Sequence, residues 1–232
     1  MQVKPLFDKV VVESLEKEEK TKSGFILPSA SLLLFLILIV LVKAVDVDFT
    51  GVGTTRIGLY HLNRTVHDFL GGNMAWYKIS QITGFISLAA AGIFAIVGIY
   101  QLIKRKNLFK VDNELLTLGC LYILTGSIYV LFEKVIINYR PVIMTGESAA
   151  EASFPSSHTM LSLVIMGSIF MIIDKYVRNQ MIANIIKALC AAIAVITVIG
   201  RLLSGVHWLT DILGGILLSV CLLSLFSAII KE

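Results

Sequence analysis

Six runs of about 20 apolar residues follow one another along this chain of 232 residues. A run of that length buried in hydrocarbon must satisfy its own backbone, which in a single segment only a helix does. The runs are Phe25–Val45, Ile82–Ile103, Leu115–Ile137, Thr159–Ile173, Ile182–Leu203 and Ile212–Ile230. The first contains Pro28 and the fourth is short, so these two are the weakest spans. With 56% hydrophobic and 16% charged residues, the composition excludes an ordinary soluble domain. The expected fold is all-α: an integral membrane bundle of six transmembrane helices.

Lysine and arginine set the orientation. Lys104, Arg105, Lys106 and Lys110 lie between the second and third spans, and Lys175, Arg178 and Lys187 lie between the fourth and fifth or just inside it. Both connections are expected in the cytoplasm of a plasma-membrane protein, together with both termini. The connections 46–81, 138–158 and 204–211 then face outward. In the first of these, Gly58–Leu70 spaces Leu59, Leu62, Val66 and Phe69 as a helix lying in the interface would. His61 and His67 in that stretch read as wet surface residues. A net charge of +4 suits loops beside anionic lipid and gives no nucleic-acid signal. Cys120, Cys190 and Cys221 all fall in spans and are expected to be buried, with neither disulfide nor metal spacing.

Residues 1–30 differ in character from the 31–232 membrane domain. The stretch VKPLFDKVVVESLEKEEKTKSGFILP resembles the opening strand and mobile loop of GroES-type co-chaperonins, of which it covers about a third. A strand without its partners has open edges and no core. The expectation is a solvated cytoplasmic tail without a function of its own and without chaperonin contact. Recruitment of a chaperonin ring, abolished by deleting residues 2–28, is the competing reading.

Three polar sets interrupt the apolar pattern, all on the expected outer side, where ionisable groups at membrane depth mark function by default. They are Lys134 with Arg140 and Pro141; Pro155, Ser156, Ser157 and His158; and Arg201 with His207 and Asp211. His207 and Asp211 are four residues apart and would share one helix face. The carboxylate can then fix one imidazole nitrogen and leave the other bare for attack. Arg201 can fold back across Ser204 and Gly205, offering a planar fork to phosphate oxygens. Ser156 to Thr159 begin a helix whose free N–H groups suit an anion, and His158 has the titration range of a proton donor to a leaving group. Each piece alone also has a plain structural reading as a snorkelling anchor, a cap or a hydrogen-bonded histidine. Their coincidence on one face favours a site.

At these residues the chain resembles the type 2 phosphatidic acid phosphatase superfamily, with its Lys-x6-Arg-Pro, Pro-Ser-Gly-His and Ser-Arg-x5-His-x3-Asp blocks. The resemblance covers about residues 31–232 and is closest in the last block. It implies His207 as the nucleophile forming a phosphohistidine, Asp211 orienting it, and His158 protonating the leaving lipid alcohol. It also implies that Arg140, Arg201, Ser156, the Ser157 amide and Lys134 hold the phosphate. Ser157 replaces the family glycine and Gly200 a serine. Five residues separate Lys134 from Arg140 where the family has six, so Glu133 stands at the lysine position. The implied activity is metal-independent hydrolysis, without cofactor, of a lipid phosphate or pyrophosphate at the outer leaflet. Phosphatidylglycerophosphate, phosphatidate and undecaprenyl pyrophosphate all remain open as substrates. A carrier or flippase that binds lipid phosphate without chemistry is the alternative; it would need the arginines but not His207.

Overall fold

The computed structural model describes the backbone of residues 7–144 and 146–230, and side chains from Ile26 onward. Among the described residues there are seven α-helices: α1 (Phe7–Ala44), α2 (Tyr60–Leu70), α3 (Met74–Arg105), α4 (Asn113–Lys134), α5 (Ser157–Tyr176), α6 (Gln180–Leu203) and α7 (Leu209–Ile230). Six of them are long and apolar enough to cross a membrane, α1 from Ile26 to Ala44 and the others over their full lengths. The six expected spans are therefore all present, in an integral membrane bundle. Helix α1 continues unbroken through Pro28, a residue more frequent in bilayer helices than in soluble ones. Here the Ser31 hydroxyl donates to the carbonyls of Leu27 and Pro28. The expectations for residues 1–30 fall largely on positions whose side chains, and for 1–6 also the backbone, lie outside the described residues.

Helix ends follow local capping. Asn73 and Asn179 cap α3 and α6, each side-chain oxygen accepting amide N–H groups of the first turn. The cap at Asn73 starts α3 eight residues before the apolar run at Ile82, which places Trp76, Tyr77 and Gln81 on the helix. In the connection between α1 and α3, a short antiparallel pair joins β1 (Asp48–Phe49) to β2 (Arg56–Ile57), and a helix follows as expected, α2.

Helix α5 is the central element, packed against α3, α6 and α7, while α1 closes on α7. The core joins Met160, Val164 and Ile172 of α5 to Leu218, Leu222 and Phe226 of α7 and to Phe35 and Val42 of α1. Phe85, Ile93 and Ile96 of α3 point outward, as a lipid-facing surface requires. Cys190 and Cys221 are buried as expected, whereas Cys120 lies on the outward face of α4 and is exposed. A buried polar ladder crosses the bundle: Ser87 Oγ meets Ser162 Oγ, Ser162 donates to Thr197, and Thr197 donates to Thr83. Ser162 and Thr197 lie one turn inward of His158 and Arg201. Hydroxyl bonds between membrane helices are worth about 0.6 kcal/mol each. Several together fix the register of α3, α5 and α6 beneath the polar sets.

Candidate active site

Between α6 and α7 the chain reverses in five residues, and Gly205 makes this possible. Its φ of 67° is left-handed, and a Cβ there would stand 2.9 Å from the Cα of Gly72. His207 therefore sits in the turn before α7, not on the helix face that the four-residue spacing suggests. Asp211 occupies the first turn of α7, and its Oδ2 accepts the N–H of Trp208, the acidic half of a capping box. Its Oδ1 accepts from the Asn138 amide at 2.9 Å, and its backbone carbonyl accepts the N–H of Ser156. This fully buried carboxylate is thus fixed before it reaches His207, whose Nδ1 lies 3.5 Å from Oδ2. The contact is at ion-pair distance and outside hydrogen-bond geometry, leaving Nδ1 without a hydrogen-bond partner. Burial holds the His207 imidazolium below the usual histidine range; Asp211 opposes this, while the charges of Arg140 and Arg201 add to it.

The connection from α4 to α5 is closed on itself. Tyr139 pairs with Ala152, the Arg140 N–H bonds to the Glu151 carbonyl, and the Ser153 N–H bonds to that of Asn138. Trp208 ties this small hairpin to the α6–α7 turn by donating its indole N–H to the Tyr139 carbonyl. Arg140 is thereby carried to the start of α5, where its guanidinium pairs with Glu151 at 3.1 Å and keeps Nε unpartnered. The Phe154–Pro155 turn lies directly on α7. A Cβ on Gly214 would come within 2.7 Å of the Phe154 ring, and one on Gly215 within 3.0 Å of the Ser156 carbonyl. Gly214 and Gly215 therefore set the approach of α5 to His207.

Arg201 is 1% exposed, with its guanidinium 5.1 Å from the Tyr77 ring centroid and Nε without a partner. Its Nη2 donates to Gln81 Oε1 at 3.1 Å, and the same oxygen lies 2.5 Å from His158 Nε2. Gln81 and Asn138, which the three polar sets do not contain, are thus the side chains that link them. A glutamine beside the second apolar run was the signal available for the first. Nothing in the sequence distinguishes Asn138.

An open cleft brings together Arg140, Ser157 and His207, with Tyr129, Glu133 and Pro155 also on its wall. A second groove, of about 120 Å³, begins at Ser157, His158 and Gln81 and continues along apolar Gly84, Phe85, Leu88 and Leu161. Two sequence candidates stand apart. Lys134 is exposed at the end of α4 and lines neither cavity, because one residue along a helix is a rotation of about 100° and Glu133 takes the inward position. Ser156 is fully buried, its hydroxyl unpartnered beneath the cleft wall. His67, expected at the surface, packs against Trp208 and faces the Gly205 carbonyl, so α2 braces the His207 turn from outside. Asn63 of α2 does the same through Thr210. Among the described residues, no three His, Cys, Asp or Glu side chains are grouped to hold a metal ion.

Comparison with known proteins gives the family and the fold. The chain matches the fold of a solved protein from Bacillus subtilis, described as the first transmembrane PAP2 type phosphatidylglycerolphosphate phosphatase, at a TM-score of 0.63 and 20% identity, over 88% of this chain and 96% of that one. Residues 2–32 match the Chaperonin 10 Kd subunit family. Over 31 residues they are 58% identical to the co-chaperonins GroES of Clostridium novyi (strain NT) and Clostridium botulinum, so the chain spans a third of the length of these curated relatives. The PAP2 superfamily pattern matches residues 114–232, just over half the chain and the part that carries Arg140, His158, Arg201, His207 and Asp211. The chain belongs to the PAP2 superfamily.

Proposed function

We propose that this membrane protein is a lipid phosphate phosphatase that works through a phosphohistidine on His207. The observation that carries the reading is the buried His207–Asp211 pair, at 3.5 Å, opening onto the same cleft as Arg140 and Ser157. Burial keeps His207 neutral, as a nucleophile must be. Its Nε2 attacks phosphorus, the bond to the lipid alcohol breaks, and His158 passes a proton to the leaving oxygen. Asp211 stabilises the imidazolium that forms. Water then attacks the phosphohistidine, giving up a proton to His158, and inorganic phosphate leaves with the bonding electrons returned to His207. Arg140 and Arg201 neutralise the phosphoryl oxygens throughout, the electrostatic work that dominates phosphoryl transfer. The groove from His158 to Leu88 suits the tail of a lipid leaving group. Basic residues at the opposite helix ends support an outward-facing site.

The test is phosphate release by the purified chain from phosphatidylglycerophosphate, phosphatidate and undecaprenyl pyrophosphate, with and without EDTA. Activity that persists in EDTA and disappears in His207→Ala is expected. A fully active His207→Ala protein would overturn the mechanism, and binding of all three lipids without phosphate release would leave a carrier.

A further inference from the structure

We infer that Gln81 is a positioning residue of the reaction, holding His158 so that its Nδ1 delivers the proton to the leaving group; this rests on the phosphatase reading above. The amide is oriented by chemistry. Arginine can only donate, so the Gln81 atom that faces Arg201 Nη2 at 3.1 Å is the oxygen. His158 Nε2, 2.5 Å from that oxygen, must then carry a hydrogen. The amide nitrogen is in turn fixed by the Tyr77 hydroxyl at 2.8 Å, one turn back along α3. One carbonyl oxygen therefore sets both the tautomer of His158 and the position of Arg201.

A second feature of α3 has the same effect. Gly84, next to Gln81 on the groove wall, leaves room for the imidazole, since a Cβ there would stand 3.0 Å from His158 Cδ2. The ring is thus fitted against the helix on one side and bonded to Gln81 through Nε2. Its Nδ1 has no partner among the described residues. In the imidazolium form, Nδ1–H is the proton that moves to the alcohol oxygen as the P–O bond breaks and the His207–phosphorus bond forms. His158 is left neutral and still bonded to Gln81.

The role predicts dependence on the leaving group. A lipid alkoxide must be protonated as it departs, whereas a nitrophenolate leaves without a proton. The full chain in detergent is assayed with dioctanoyl phosphatidate and with p-nitrophenyl phosphate. Gln81→Met is expected to lower kcat on phosphatidate by about 10-fold or more beyond its effect on p-nitrophenyl phosphate, which registers only the loss at Arg201, general acid catalysis being worth about 10²–10⁴-fold. Gln81→Glu keeps an acceptor oxygen but adds a charge beside Arg201. It should raise KM for both substrates and leave the ratio of their kcat values within about 3-fold of wild type. Equal slowing of both substrates by Gln81→Met, or collapse of the ratio in Gln81→Glu, overturns the inference while the phosphatase reading stands. A wild-type chain inactive on both substrates overturns the reading itself.

Discussion

The two ends of the helix bundle carry charge in opposite ways. At the end expected in the cytoplasm, cations and carboxylates are matched: Arg105 with Asp112, Lys175 with Glu114, and Lys187 with Asp174, with Gln101 completing Asp112. These groups are partly exposed and tie neighbouring helix ends together. At the other end, buried polar atoms are left over: Arg140 Nε, Arg201 Nε, His207 Nδ1 and the hydroxyls of Ser156 and Thr159. An unmet buried donor costs about 1–3 kcal/mol, so a cluster of them persists only where something offsets it. The difference separates an end where Asp112, Glu114 and Asp174 are each paired with a cation, and where Tyr176 keeps an unpartnered buried hydroxyl, from an end whose clustered unmet donors fit the anion site proposed above.

The largest test removes the proposed nucleophile. His207→Ala is expected to abolish phosphate release, by at least about 10⁴-fold as when a covalent catalyst loses its attacking group, while the protein still purifies as a folded species. Acid-labile phosphate trapped on the wild-type chain and absent from His207→Ala would locate the intermediate. Trapping on another residue would break the assignment. Next in size is Arg201→Lys, expected to lower kcat/KM by about 10²-fold, the scale of one lost transition-state donor. Lysine keeps the charge but cannot present the fork that reaches Gln81 and a phosphate together. A variant with wild-type kinetics would show that Arg201 is a buried anchor only.

The pH dependence follows from the burial of His207. Its conjugate acid is disfavoured below the ordinary value of about 6.5, so the neutral nucleophile survives as pH falls through that value, and kcat/KM should decline only at lower pH. Asp211→Asn removes the group that opposes the shift. The acid limb should then move further down while the plateau falls, by about 10-fold or more if His207 loses its preferred tautomer. The same depression makes His207 stabilising above about 6.5, with that contribution lost progressively as pH falls below it. Thermal unfolding followed across this range measures the loss. An acid limb of kcat/KM centred above 6.5 would contradict the burial argument.

What could be read in the sequence divides along the same line. Spans are legible because a bilayer leaves one backbone solution, and all six appear, with ends displaced by up to three residues except at the start of α3, which lies eight residues early. Arg140, His158, Arg201, His207 and Asp211 are legible because charge at membrane depth is costly and rarely idle. What escapes is the link between segments. Gln81 fell one residue outside the expected second span, which began at Ile82; only the Asn73 cap, by starting α3 early, carries it onto the helix that faces His158. Asn138 reaches Asp211 through a hairpin whose pairing of Tyr139 with Ala152 has no local periodicity. The exchange of Lys134 for Glu133 at the cleft wall is a matter of helical phase, and spacing gave warning of it.

The smallest expected effect lies at the matched end. Lys175 and Glu114 are in ion-pair contact, but the lysine side chain is about half exposed, so solvent and salt screen the pair, and such pairs contribute about 0–1 kcal/mol. Lys175→Ala should therefore lower the unfolding temperature by no more than a few degrees and leave kcat and KM on phosphatidate unchanged. The effect on stability should shrink further in high salt, as exposed pairs do. If Lys175→Ala instead reduced turnover as Arg201→Lys does, the two ends would be coupled through α5, which carries Lys175 in its last turn and His158 in its first. The polar ladder at Ser162 would be the place to look for that coupling, because it is where α5 is bonded to α3 and α6 between the two ends. Ser162→Ala combined with Lys175→Ala then decides the matter: additive small losses keep the ends separate, and a non-additive loss of turnover joins them.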